Sequence, residues 1–395
     1  MERPFGIYVH VPFCAARCDY CAFATWTDRD PLMAAYAEAC ATELGRATRA
    51  EGLPAATSVY VGGGTPSRLP AELLAGVLEA VVRSPGAEVT VECNPEDASA
   101  ERFARWRAAG VTRVSFGVQS MVPHVLEALG RRHGTTQVAR AVALAAESGI
   151  PAVNVDLILG AATETDADLA ATLEAVLALD PRPRHVSAYA LTVEPGTALA
   201  RDPARHPDDD ACARRYAMVD AALSAAGYRW YEVSNWAVPG HECRHNALYW
   251  AQGDYRGIGC AAHSHRGGRR WWNTRTPERY IEAVRAGRRA TAGDEVLSEG
   301  QRAFEGLALA LRTSAGVPAS AVPDDPDLDG LVERRGDRAV LTVRGRLLAN
   351  EVTVRLRTQE STVRLRTQEG TVRLRTQEGT VPLRTDQCGA LARAR

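Results

Sequence analysis

Cys14, Cys18 and Cys21 stand in the pattern C-x3-C-x2-C, directly after the apolar run Ile7-Tyr8-Val9-His10-Val11. Three thiolates on one loop can hold three irons of a 4Fe-4S cluster and leave the fourth iron open, where a small chelating amino-carboxylate could bind. A zinc site would ask for two separated C-x2-C pairs supplying four ligands, and no second pair occurs. A disulfide framework fits no better. Nine cysteines in 395 residues is sparse and odd, and no secretory signal precedes the motif, so a reducing cytosolic setting is expected. The remaining cysteines (Cys40, Cys93, Cys212, Cys243, Cys260 and Cys388) are scattered singly and read as small buried or incidental residues.

The elements that must position this loop form a rhythm of short apolar strands, each followed by a small-residue loop and a helical stretch. Strands are expected at 6–11, 58–61, 88–92, 113–118, 153–159 and 185–191, with helical patterns such as 31–50, 71–82, 137–148 and 166–179 between them. Six consecutive βα units without hairpin signals predict an α/β fold, a parallel sheet curling into a partial barrel with helices outside. Chemistry then belongs at the C-terminal strand ends. The motifs fall there. Gly62-Gly63-Gly64-Thr65-Pro66 follows the second strand and Glu92-Cys93-Asn94-Pro95 closes the third. Gly117-Val118-Gln119-Ser120 closes the fourth, Asp156 lies in the fifth, and Ser187-Ala188-Tyr189-Ala190 ends the sixth.

Each motif has a physical use. Glycines let backbone approach a ligand closely, although Gly62–Gly64 lacks the spacing of a phosphate loop and also fits a plain turn. Glu92 can accept hydrogen bonds from a ribose diol, and Asp156 or Arg131 can pair with charged parts of a ligand. Taken singly, each charged residue equally suits a rim ion pair.

Together, Tyr8–Cys14, the GGGTP loop, Glu92–Pro95, Ser115–Ser120, Asn154–Ile158 and Tyr189–Pro195 resemble the HemN/HemW branch of radical S-adenosylmethionine proteins, over about residues 5–350. That branch contains oxygen-independent coproporphyrinogen III oxidases and heme chaperones. The resemblance implies a partial (β/α)6 radical S-adenosylmethionine barrel with a small C-terminal winged-helix-like α+β domain. It makes Cys14, Cys18 and Cys21 the ligands of a 4Fe-4S cluster. Tyr8, Tyr20, Gly63, Gly64, Thr65, Glu92, Gln119, Arg131, Asp156 and Ala190 then match positions lining the S-adenosylmethionine sites.

Two features turn the resemblance toward the chaperone side. The oxidases carry a further cysteine two residues after the third, where this chain has Phe23, and a longer segment ahead of the motif. His245-Asn246-Ala247-Leu248-Tyr249-Trp250 matches an HNxxYW signature of the chaperones. An imidazole beside an aromatic pair offers an iron ligand and flat faces for heme, which nominates His245, with His241, His263 and His265 as competitors. The alternative is that Tyr249 and Trp250 are core aromatics and His245 a satisfied polar partner. The resemblance implies heme as ligand, membrane-bound respiratory heme proteins as recipients, and an electron donor such as a flavodoxin or ferredoxin. Heme held by one chain or between two, as in a homodimer, both stay open, as does turnover of S-adenosylmethionine; a coproporphyrinogen oxidase is the alternative reading.

Composition sets the remaining bounds: net charge is −1, 46% of residues are hydrophobic, and every basic residue is arginine. No nucleic-acid footprint shows, and no apolar run approaches the ~20 residues that span a bilayer, so the expected setting is cytoplasmic, with membrane contact only peripheral. The domains are expected at 1–230 (barrel), 231–290 (an extension carrying HNxxYW), 291–352 (the small C-terminal domain) and 353–395. The last segment repeats TVRLRTQE plus Gly or Ser in near-identical nine-residue copies, has little apolar surface to bury, and is expected to be disordered.

Overall fold

A computed structural model of the chain describes residues 3–356, together with the backbone of Arg364–Gln368, Thr371–Thr376 and Gly379–Leu383. Strands β1 (Phe5–Val11), β2 (Ala56–Gly63), β3 (Arg83–Cys93), β4 (Arg113–Gln119), β5 (Ala152–Leu159) and β6 (His185–Ala190) pair in sequence order, all parallel. The helices α1 (Met33–Glu51), α2 (Ala71–Glu79), α3 (Ala100–Ala108), α4 (Pro123–Ala128), α5 (Thr135–Glu147) and α6 (Asp166–Leu177) supply the crossovers. This is the parallel α/β sheet with helical crossovers expected from the βα rhythm.

Alternation along these strands separates two chemistries, because successive side chains point to opposite faces. Val9, Val11, Val59, Val61, Val89, Val91, Val114, Phe116 and Val155 join one apolar core with Tyr36, Leu44, Leu74, Leu78, Phe103 and Trp106 of the helices. Burying each large side chain contributes about 1.5–3 kcal/mol, which holds the helical layer to the sheet. The opposite face is polar: Tyr8, His10, Ser58, Tyr60, Glu92, Ser115, Asn154, Asp156, His185 and Ser187 all lie on it. A sheet with one greasy face and one polar, ligand-sized face is what the barrel needs.

Strands not legible in the sequence extend both edges. Beyond β6 run β7 (Arg229–Glu232) and β8 (Asn235–Ala237), antiparallel, after helix α7 (Asp209–Ala225). Helix α8 (Arg244–Trp250) follows, and then β9 (Asp254–Ile258) returns parallel to β1. Next to β9 lie β10 (His263–Arg266), β11 (Arg269–Asn273) and β12 (Thr291–Val296), antiparallel, with α9 (Pro277–Arg285) between the last two. Twelve strands thus share one sheet.

Helix α10 (Glu299–Leu311) starts at Ser298, whose hydroxyl accepts from Gln301 N. It heads a second apolar cluster of Phe304, Leu311, Val317, Leu341 and Val352, built with the hairpin β14 (Val332–Arg335) and β15 (Arg338–Leu341) and the short strand β13 (Val317–Pro318). Arg346 ties this cluster to the barrel, 2.6 Å from Asp220 and with its guanidinium 4.0 Å from the centre of the Trp230 ring. In the nonapeptide repeat, the three described segments pair as an antiparallel sheet. Residues 357–363, 369–370, 377–378 and 384–395, on which the expectation of disorder also falls, lie outside the described residues.

Candidate functional site

The cysteine loop leaves the end of β1 as a closed lasso. Cys14 N donates to Trp26 O at 3.0 Å and Trp26 N to Pro12 O at 2.8 Å, so the loop's two ends are stitched together. Within it, Cys21 N reaches Cys18 O at 3.1 Å. From below, His10 Nε2 donates to Ala24 O at 3.0 Å, while the Tyr8 hydroxyl meets His10 Nδ1 at 3.1 Å. Because a carbonyl can only accept, Nε2 carries the proton and Nδ1 accepts from Tyr8, which requires a neutral ring. Burial keeps it neutral, lowering the His10 pKa to about 4.

Cys14 is buried; Cys18 and Cys21 are half-buried. The Thr65 hydroxyl points at Cys14 Sγ at 3.4 Å, and Arg131 Nη1 at Cys18 Sγ at 3.7 Å. Burial pushes the Cys14 thiol up and the Cys21 thiol to about 11, and the neighbouring cysteines push the same way. Unliganded, these thiols are therefore protonated at neutral pH; iron must displace the protons. Among the described residues no three His, Cys, Asp or Glu side chains converge on a single-ion point. A 4Fe-4S cluster does not ask for that, since each thiolate binds a different iron. Three cysteines on one stitched loop, with Thr65 and Arg131 aimed at their sulfurs, fit a cluster better than a lone metal ion.

The glycine run has a use beyond approach to a ligand. Gly63 has φ 114°, and a Cβ there would stand 2.5 Å from the His10 ring. A Cβ on Gly64 would stand 2.9 Å from both Val11 O and Phe13 O, and 3.0 Å from Cys14 Sγ. The run therefore lets β2 press against the cysteine loop.

Around the rim, Glu92 accepts from the Tyr60 hydroxyl at 3.0 Å. Arg131 Nη2 donates to Asn94 Oδ1 at 2.7 Å and to Gly117 O at 2.9 Å, so one guanidinium links β3, β4 and the cysteine loop. Gln119 is held at φ 65°, where the β4–β5 register slips. A left-handed backbone at a non-glycine residue persists only where surroundings impose it, and such strain concentrates at functional sites. Asp156 accepts from Ser115 Oγ at 2.7 Å and Asn154 Nδ2 at 2.8 Å. Tyr20 packs against Val125, Leu129, Ile158, Leu191 and Leu199, and burial pushes its phenol up. Ala190, the exposed last residue of β6, pairs with Leu159. The register, His10 opposite Gly62 and Gly117 opposite Asp156, sets these residues along one rim.

His245 is not among them. Its Nδ1 pairs with Ser58 Oγ at 3.0 Å and its Nε2 with the Tyr249 hydroxyl at 2.9 Å. The ring is 1% exposed, stacked on Tyr60 with centroids 5.5 Å apart. Ser58 pairs with Gly6 near the start of β1, five residues or about 16 Å along the strand from Val11, where the cysteine loop departs. Glu88 caps the helix that carries it, accepting from Arg244 N at 2.9 Å while pairing with buried Arg113 at 3.0 Å. The HNxxYW helix thus forms the barrel's floor. Tyr249 and Trp250 are buried aromatics, at 5% and 7% exposure.

Sequence reasoning left several site residues unassigned. His10 locks the loop, and its signal was the Tyr8-x-His10 alternation ahead of the first cysteine. Asn94 anchors Arg131. Asn154 bridges Asp156 to His185, whose Nε2 meets the Tyr231 hydroxyl at 2.8 Å; that hydroxyl also accepts from Asn246 at 3.0 Å. Tyr231 comes from a strand the sequence did not signal.

Comparison with known proteins agrees with this geometry. The profile of the Radical SAM superfamily matches residues 8–176. The heme chaperone HemW of Mycobacterium tuberculosis is 45% identical over 374 residues, covering 89% of this chain and 94% of that protein. HemW of Bacillus subtilis is 32% identical over 370 residues, covering 87% and 97%. The solved structure of coproporphyrinogen III oxidase (HemN) from Escherichia coli, a radical SAM enzyme, superposes with a TM-score of 0.77 over 89% of each chain at 22% identity, which speaks for the shared fold.

Proposed function

The chain belongs to the heme chaperone HemW family of radical S-adenosylmethionine proteins, and from that premise we propose that it binds heme and passes it to membrane-bound respiratory heme proteins. The observation that carries the proposal is the likeness to the heme chaperones along nearly the whole chain, together with the stitched loop of Cys14, Cys18 and Cys21 at the rim.

Family membership implies a 4Fe-4S cluster and S-adenosylmethionine. In this reading Cys14, Cys18 and Cys21 hold the cluster, which supplies one-electron chemistry to S-adenosylmethionine when bound. Thr65 and Arg131 donate to the sulfurs and stabilise their thiolate form. Tyr8, Tyr20, Gly63, Gly64, Glu92, Gln119, Asp156 and Ala190 form the rim against which S-adenosylmethionine lies, with Glu92 accepting from its ribose. His10 holds the loop shut. An electron donor of the flavodoxin or ferredoxin type meets the loop from outside. No helix among the described residues is long and apolar enough to cross a membrane; in this reading delivery is by peripheral contact from the cytoplasmic side.

The test is anaerobic reconstitution with iron and sulfide, followed by parallel assays with heme and with coproporphyrinogen III. The expected result is saturable heme binding with no protoporphyrinogen formed. Conversion of coproporphyrinogen at an enzyme's rate replaces the proposal with the oxidase reading, against which Phe23 already speaks.

A further inference from the structure

The polar face of the sheet contains several imidazoles, and most are engaged. His10, His185 and His245 each use both ring nitrogens in hydrogen bonds. His265 Nδ1 is held by Gly253 O at 2.9 Å, and His241 Nε2 by Arg184. His263 is different. It is exposed, and neither ring nitrogen has a hydrogen-bond partner among the described residues.

Its place is nonetheless built. His263 lies directly opposite Trp272 on the neighbouring strand, with the two rings stacked at 27° and 5.8 Å between centroids. Trp272 in turn lies opposite Gly293, where a Cβ would stand 2.6 Å from the indole. The missing side chain leaves room for the indole to lie across β12, and the indole backs the imidazole. On the other side, Gly257 sits beside Tyr8 in register, and a Cβ on it would stand 2.0 Å from His263 O. His263 is therefore two strands, about 10 Å, from Tyr8 in the middle of β1. Desolvation against the neighbouring strands, and then Arg270, lower the His263 pKa below its ordinary value, which favours the neutral ring.

We infer that His263 is the axial iron ligand for heme, with Trp272 fixing the imidazole from behind, on β10 at the level of Tyr8 rather than on the HNxxYW helix. The inference rests on the proposed heme binding. Neutral imidazole is a common axial ligand of heme iron. An exposed ring with both nitrogens free can take the metal without breaking any bond of the fold, whereas His245 would first have to leave Ser58 or Tyr249.

The experiment is an anaerobic heme titration of the full chain, followed by absorption and resonance Raman spectra, repeated with His263→Ala and with His263→Ala plus free imidazole. The expected result is loss of the iron–imidazole stretch and a shifted Soret band in His263→Ala, both restored by imidazole, with unchanged far-ultraviolet circular dichroism. Heme binding with the same spectrum in His263→Ala overturns the ligand assignment and leaves the proposed function standing. A loss that imidazole does not restore also overturns ligation. If the unsubstituted chain binds no heme, both readings fall together.

Discussion

Replacing His245 with alanine separates a floor residue from a heme ligand, because the two roles predict opposite outcomes. The imidazole is 1% exposed and bonded at both nitrogens. Its removal leaves the Ser58 hydroxyl, also 1% exposed, without this partner, at about 1–3 kcal/mol for an unsatisfied buried group. The lost bond to Tyr249 adds about 1 kcal/mol. A ring-sized void between Tyr60 and Tyr249, whose centroids lie 5.5 and 4.7 Å from that of His245, adds about 1–2 kcal/mol after partial collapse. The sum is about 3–6 kcal/mol, a large share of the 5–15 kcal/mol that holds a typical domain together. Urea unfolding followed by tryptophan fluorescence should show a clearly lower midpoint, while heme added below the transition gives the spectrum of the unsubstituted chain. An unshifted midpoint combined with an altered heme spectrum would refute the floor assignment.

Other consequences can be measured alongside. Glu88→Ala removes both the cap of α8 and the partner of buried Arg113, leaving a guanidinium unpaired; a loss of about 3–5 kcal/mol is expected in urea unfolding, with Glu88→Gln intermediate because its amide oxygen still accepts from the helix. Gly64→Ala forces a methyl against two backbone oxygens and Cys14 Sγ, so iron and sulfide content after reconstitution should fall while circular dichroism stays native; full cluster content would show that β2 does not press on the loop. His10 and His133 are both lowered to about 4, chiefly by burial. The unfolded chain therefore binds protons that the folded one refuses, and stability present above about pH 6.5 should decline as pH falls toward 4, by up to about 1.4 kcal/mol per unit for each histidine. His133→Gln should flatten that decline, and an unchanged slope would remove it from the account.

The parallel half of the sheet was legible because β1 to β6 each pair apolar residues on one face with a motif at the end, and because the helices between them carry apolar stripes. Helix α3 was not, since its nine residues hold only Phe103 and Trp106 as apolar anchors among arginines and alanines. The short edge strands were hidden for a related reason: β7 to β12 are three to six residues long and take their register from neighbours. The cysteine triplet stood out by its spacing and the rim residues were named by resemblance to a family, whereas the direction of His245 could be read from neither. Its motif lies on a helix whose docking depends on Glu88 and Ser58, far away in sequence, and no local pattern tells floor from rim. His263 was one competitor among several until the strand pairing set it opposite Trp272.

The claim that this scaffold carries heme rather than oxidising porphyrinogens meets its most direct test in transfer. Cluster-reconstituted chain loaded with heme is mixed anaerobically with membrane vesicles containing a heme-free respiratory protein, and the Soret band of the recipient is followed after the vesicles are sedimented. The account predicts that heme leaves the chain and appears in the recipient faster than from free heme at the same concentration. Heme that stays in the supernatant, or reaches the recipient no faster than free heme does, contradicts it.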